Sequence, residues 1–136
     1  MKILFCKSNT LGGMLIRFFT FSKWSHVAIE LGDNVIDSTF SKGVAVSSKE
    51  SFYKRYDYIE TIEVEVDKEL STTFLINQIG KPYDWSALIA LPLRNSWQNP
   101  DAWFCSELVA KTLAMGGKYF KAKASRITPE DLWKLL

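Results

Sequence analysis

The sequence predicts an α+β fold in one domain covering residues 1–136, with an antiparallel sheet in the N-terminal half packed against C-terminal helices. Three observations lead there. Short alternating or apolar runs crowd the first half, helical periodicity with clear stop signals marks the second, and no repeat, low-complexity stretch or linker divides the chain. A chain of 136 residues suits one domain of ordinary size. Such a domain buries roughly two-thirds of its unfolded surface. A hydrophobic content of 47%, with 14% aromatics, supplies a core without disulfide or metal staples.

Ile3-Leu4-Phe5-Cys6 reads as a short apolar strand, with Cys6 a core residue. Leu11, Met14, Leu15, Phe18 and Phe19 recur at helical spacing and predict a short amphipathic helix. Phe18, Phe19, Phe21 and Trp24 then either join the core or rim an apolar substrate groove. From Ser25 to Leu31 the pattern alternates, with Val27, Ile29 and Leu31 on one face and His26, Ala28 and Glu30 on the other. Gly32-Asp33 supplies a turn and Asn34 to Phe40 the return strand. Gly43–Ser48 and Thr61–Val66 are further strands. The helical half starts near Ser71, with Phe74, Leu75 and Ile79 on a common face and Gly80-Lys81-Pro82 as its end. A second helix runs from Asp84 toward Pro92, and a third from about Phe104 to Met115, stopped by Gly116-Gly117. Thr128-Pro129-Glu130-Asp131 is a helix start, with Thr as N-cap, Pro in the first turn and acids at the positive end.

Composition removes several functions. A net charge of +2 does not suggest a nucleic-acid footprint, and Lys118, Lys121, Lys123 and Arg126 are read as a solvated surface. Two cysteines, at positions 6 and 105, and a single histidine give neither a disulfide framework nor a zinc spacing, so no metal or other cofactor is expected. The N-terminus has too short an apolar run for a signal peptide, and no run approaches the roughly 20 residues of a transmembrane segment. The expected compartment is therefore the reducing cytoplasm.

The remaining chemistry centres on Cys105 and His26. Cys105 shares an inward helical face with Leu108, Val109, Thr112 and Leu113, as a buried structural thiol would. At a helix start, however, unpaired amides and the dipole stabilise a thiolate and a tetrahedral oxyanion. An alternative cap at Asn99-Pro100 would move Cys105 to the second turn and weaken both effects. His26 is the one histidine, so any Cys–His mechanism must use it. If Gly32-Asp33 is a two-residue hairpin turn, Ala28 faces Asp37 and His26 faces Thr39, which makes Asp37 a diagonal neighbour able to orient the imidazole. A turn at Asp33-Asn34 would carry Asp37 two residues further away; should Asp37 not be the third member, Thr39, directly across from His26 in the first register, is the next candidate. Tyr83 either donates a hydrogen bond in the site or is satisfied elsewhere. Glu107 is expected at the surface or in an ion pair.

Ser25-His26-Val27-Ala28-Ile29, Val35-Ile36-Asp37-Ser38 and, far downstream, Phe104-Cys105-Ser106-Glu107-Leu108-Val109 resemble the permuted, YiiX-like branch of the NlpC/p60 papain-like superfamily. In that branch the His strand precedes the Cys helix, as it does here. Gly80-Lys81-Pro82-Tyr83-Asp84-Trp85 is also similar, with Tyr83 at the place of an aromatic that flanks the nucleophile. The likeness extends from Ile3 to about Pro129. It implies a circularly permuted papain-like fold, with Cys105 as nucleophile, His26 as base and Asp37 as third member, a position where the family often has Glu, His or Gln. The expected activity is a cysteine peptidase or amidase acting on an amide, such as a cell-wall peptide. A lipid acyl hydrolase or acyltransferase is the alternative, and a non-catalytic peptide- or lipid-binding module is the rival from another class. A thiol-redox protein lacks its C-x-x-C spacing.

Overall fold

A computed structural model describes residues 1–90, 101–121 and 127–136. Five strands form one antiparallel sheet: β1 (Lys2–Lys7), β2 (His26–Leu31), β3 (Asn34–Thr39), β4 (Gly43–Ser48) and β5 (Tyr58–Glu63), in spatial order β4-β3-β2-β1-β5. The helices are α1 (Leu11–Thr20), α2 (Lys49–Tyr53), α3 (Lys68–Ile76), α4 (Trp85–Ala90), α5 (Cys105–Met115) and α6 (Pro129–Leu135). The architecture is α+β.

β1 has a neighbour on each edge and a packed layer on each face, which is why it reads as an unbroken apolar run. Ile3 and Phe5 enter the larger core with Val27, Ile29, Leu108 and Leu113. Leu4 and Cys6 enter a smaller one with Ala28, Val35 and Phe52. Burying each such aliphatic or aromatic side chain contributes roughly 1.5–3 kcal/mol. α5 lies against the Val27/Ile29 face, and α2 covers the other with Phe52.

Several boundaries differ from expectation, each for a local reason. The last strand is Tyr58–Glu63 instead of Thr61–Val66, because its partner β1 begins at Lys2 and the ladder ends there. Val64 makes the closing rung with Met1, whose ammonium donates to the Val64 carbonyl at 2.6 Å. α3 starts at Lys68, before Ser71, since the Asp67 carboxylate accepts from the Leu70 amide and caps it. α2 was not foreseen; at five residues it is too short to show a period, and only its Ser48 cap marks it. The capping box of α6 is formed as the sequence indicates, Thr128 and Asp131 satisfying each other's amides. The expected helix end at Pro92 and the residues Lys123 and Arg126 lie outside the described residues.

α1 forms where its periodicity indicates but is turned outward. Gly13, Thr20 and the half-buried Ile16 face the protein, while Leu11, Met14, Leu15, Phe18 and Phe19 are exposed. Gly13 makes the close approach possible: a Cβ there would come within 2.6 Å of the Ser8 carbonyl oxygen. Of the four aromatics weighed for core or groove, Trp24 is core, whereas Phe18, Phe19 and Phe21 are exposed. Glu107, expected at the surface or in an ion pair, is buried in the first turn of α5, where the positive helix end favours a carboxylate. Among the described residues no helix is long and apolar enough to cross a membrane.

Candidate active site

The β2–β3 hairpin fixes the first pair. Its register, Ile29↔Ile36, Glu30↔Val35 and Leu31↔Asn34, leaves Gly32-Asp33 as the turn, with Gly32 at φ 60°, a conformation that glycine adopts without strain. Continued along the strands, this register sets Asp37 diagonal to His26 on the same sheet face. The two side chains meet there, His26 Nε2 lying 2.9 Å from Asp37 Oδ2. Both residues are buried.

Two residues that sequence reasoning missed complete this corner. Arg55 Nη2 reaches Asp37 Oδ2 at 3.5 Å and the Ser47 hydroxyl at 3.3 Å, so the carboxylate lies between two cationic groups. The Tyr56 ring stacks on the imidazole, with planes 7° apart and centroids at 5.6 Å. Both follow α2, and the aromatic cluster Phe52, Tyr53 and Tyr56 around Arg55 was the available signal.

The thiol comes from the opposite layer. Cys105 is the first residue of α5, whose N-cap is Phe104. The alternative cap at Asn99-Pro100 lies outside the described residues. Phe104 gives no side-chain cap, so the first-turn amides of α5 are not occupied by one. The helix start is held against the sheet by backbone bonds. The Trp103 amide donates to the Pro82 carbonyl and the Asp84 amide to the Trp103 carbonyl. Ser38 of β3 donates its hydroxyl to that same Trp103 carbonyl at 2.7 Å. The Gly80–Pro82 segment is tied in turn to β4 through Val44, and Gly43 leaves room for it: a Cβ there would lie 2.2 Å from the Lys81 carbonyl oxygen.

Cys105 and His26 thus approach each other at the end of the sheet where β2 begins, close enough for the thiol to raise the imidazole pKa. With Nε2 engaged by Asp37, Nδ1 is the ring nitrogen available to the thiol. Burial by itself lowers the imidazole pKa, but the hydrogen bonds to Asp37 and Cys105 and the charges of both outweigh it, raising His26 from 6.5 to about 9. Cys6 is the direct cross-strand partner of His26, yet its thiol is pushed well above its usual value by burial and by the Asp37 charge. It is a core residue, as expected.

A cleft of about 260 Å³ opens on this corner, walled by His26, Tyr83, Tyr56, Phe40, Gly13 and Ile16 among others. Cys105 is 1% exposed and is not part of the wall. Tyr83 is 6% exposed and its hydroxyl has no hydrogen-bond partner among the described residues. A buried polar group left unsatisfied costs about 1–3 kcal/mol, so the position suits a group that completes its bonding with a ligand. Burial pushes the phenol pKa upward, which keeps Tyr83 a donor. The structure therefore brings Cys105, His26, Asp37 and Tyr83 into one neighbourhood, although they stand far apart in sequence. Comparison of the sequence with protein families and with characterised proteins finds no match.

Proposed function

We propose that this chain is a cysteine hydrolase or acyltransferase with the permuted papain-like arrangement, acting on an amide or ester carbonyl. The observation that carries the reading is His26, hydrogen-bonded to Asp37 and neighboured by a thiol at the first residue of a buried helix. His26 Nδ1 takes the Cys105 proton, and the sulfur attacks the carbonyl carbon to form a C–S bond. The first-turn amides of α5 receive the oxyanion, and Tyr83 donates a further hydrogen bond to the substrate. The imidazolium then protonates the leaving nitrogen or oxygen as its bond to carbon breaks. Water or another acceptor, deprotonated by His26, resolves the thioester. Asp37 holds the ring orientation and steadies the imidazolium. The imidazolium that proton transfer from Cys105 leaves is stabilised by its surroundings, in keeping with a His26 pKa raised to about 9. A peptide amide and a lipid acyl ester both suit this chemistry.

A non-catalytic binding module is the second reading, and the 1% exposure of Cys105 is the observation that favours it. Trapping the acyl-enzyme separates the two. Incubated with p-nitrophenyl esters and digested, the protein should carry the acyl group on the Cys105 peptide, and His26→Ala should lose it. Acylation confined to lysines, or equal at Cys6, would exclude the thiol mechanism.

A further inference from the structure

The outer face of α1 has no role in the fold or in the proposed chemistry. Leu11, Met14, Leu15 and Phe18 recur at i, i+3, i+4 and i+7 and form one stripe, flanked by Phe19. Leu11 and Phe18 are each 72% exposed and Met14 and Leu15 about half exposed, with α4 the helix that touches α1. The helix ends at Phe21, which is 83% exposed and sits at φ 51°. That left-handed cap position normally takes glycine, because a side chain there is strained. An aromatic that is strained and buries nothing does not serve the fold of the chain standing alone.

Charge narrows the choice of occupant. Residues 1–29 contain Lys2, Lys7, Arg17 and Lys23 and no Asp or Glu. Lys2 is paired with Glu30, and two carboxylates approach α1 and its exit, Asp57 accepting from the Asn9 amide and Glu130 from the Lys23 amide, which leaves Arg17 as the cation on the helix itself. A stripe of aliphatic and phenyl groups with Arg17 on the same helix and Lys7 and Lys23 before and after it in sequence fits a lipid leaflet, where the apolar face sinks in and cations meet anionic headgroups. It offers little to a protein partner, which would need polar complementarity at the rim.

We infer that α1 docks this protein on an anionic lipid surface. The inner face of the same helix, Gly12, Gly13 and Ile16, walls the cleft, and exposed Trp85 packs on Phe40 of that wall. Docking therefore brings to the membrane surface an element that walls the cleft. The docking stands whether or not Cys105 is catalytic; only its corollary, that the attacked carbonyl belongs to a membrane-borne molecule, rests on the hydrolase reading.

The test is co-sedimentation of the full chain carrying Cys105→Ala, which separates binding from turnover. Vesicles of phosphatidylcholine with phosphatidylserine are compared with phosphatidylcholine alone. Binding should favour the anionic vesicles and weaken with added salt. The pair Phe18→Ser and Phe21→Gly should lower partitioning by about tenfold or more. Phe21→Gly relieves the strained cap, so loss of binding without loss of thermal stability would locate the effect in docking. Absence of binding to anionic vesicles, or unchanged binding in the double variant, would overturn the inference. So would a dimer in sedimentation equilibrium that the double variant dissociates, since the face would then be occupied by a second copy.

Discussion

α1 and α5 reverse what their compositions suggest. α1 is rich in Leu, Met, Ile and Phe and is largely exposed; α5 carries Cys, Ser, Glu and two Thr/Lys positions and is mostly buried. The difference is one of partners. α5 satisfies its polar groups inside: Thr112 donates to the Leu108 carbonyl at 2.8 Å, and Ser106 donates to the Ile127 carbonyl at 2.6 Å. α1 has only a narrow inner face, built on Gly13, through which it meets the protein. Where hydropathy and burial disagree in this way, the residues concerned are doing something other than filling a core. In α5 the polar groups anchor a helix whose first residue is Cys105, and in α1 the apolar groups form an outward stripe.

The contrast can be broken at several points. Cys105→Ala should cost the most, lowering turnover of any substrate found by about 10⁴-fold or more while the urea midpoint stays close to wild type. His26→Ala should be nearly as severe, since the sequence holds no second histidine. Leu108→Ala in α5 should destabilise the protein by about 2–5 kcal/mol in urea unfolding. Phe18→Ala in α1 should stay within about 0.5 kcal/mol, and a core-sized loss there would show that its face is packed in solution.

Between these extremes lies the His26–Asp37 pair. The folded pKa of about 9 is above the unfolded 6.5, so the pair's stabilisation is fully present below pH 6.5 and disappears as pH rises through 9. Unfolding free energy should therefore fall across that window, by up to about 3 kcal/mol from this group. Asp37→Asn should flatten the slope, and an unaltered slope would detach Asp37 from the effect. On activity the same substitution should cost roughly a hundredfold, because the amide still accepts from the imidazole while the charge is gone. Phe21→Gly should bring a modest gain of about 0.5–1 kcal/mol in stability from relief of the left-handed cap.

Local rules made much of this legible. The alternation around His26 and the glycine turn gave the hairpin register, and from it the diagonal approach of Asp37. Thr128 and Pro129 marked α6 by their capping chemistry alone. What sequence did not reveal depends on contacts across the fold. Arg55 and Tyr56 reach the site only because α2 folds over β3 and β4, and the aromatic cluster around Arg55 does not by itself say which distant carboxylate the arginine meets. The outward turn of α1 was hidden for the same reason: an apolar stripe at helical spacing looks alike whether it meets a core or a solvent-facing surface. Of the two expectations for Glu107, the surface one fails because position in the first turn of a buried helix overrides the exposure that charge suggests.

The central claim, that His26 activates Cys105, is tested most directly by site-resolved alkylation. Both thiols are buried and both adjoin His26, so Cys6 is an internal control for access. Iodoacetamide at neutral pH, followed by peptide mass analysis, should modify Cys105 about tenfold or more faster than Cys6, and His26→Ala should remove that excess. Equal slow rates at the two cysteines, or a Cys105 rate indifferent to loss of His26, would contradict the account.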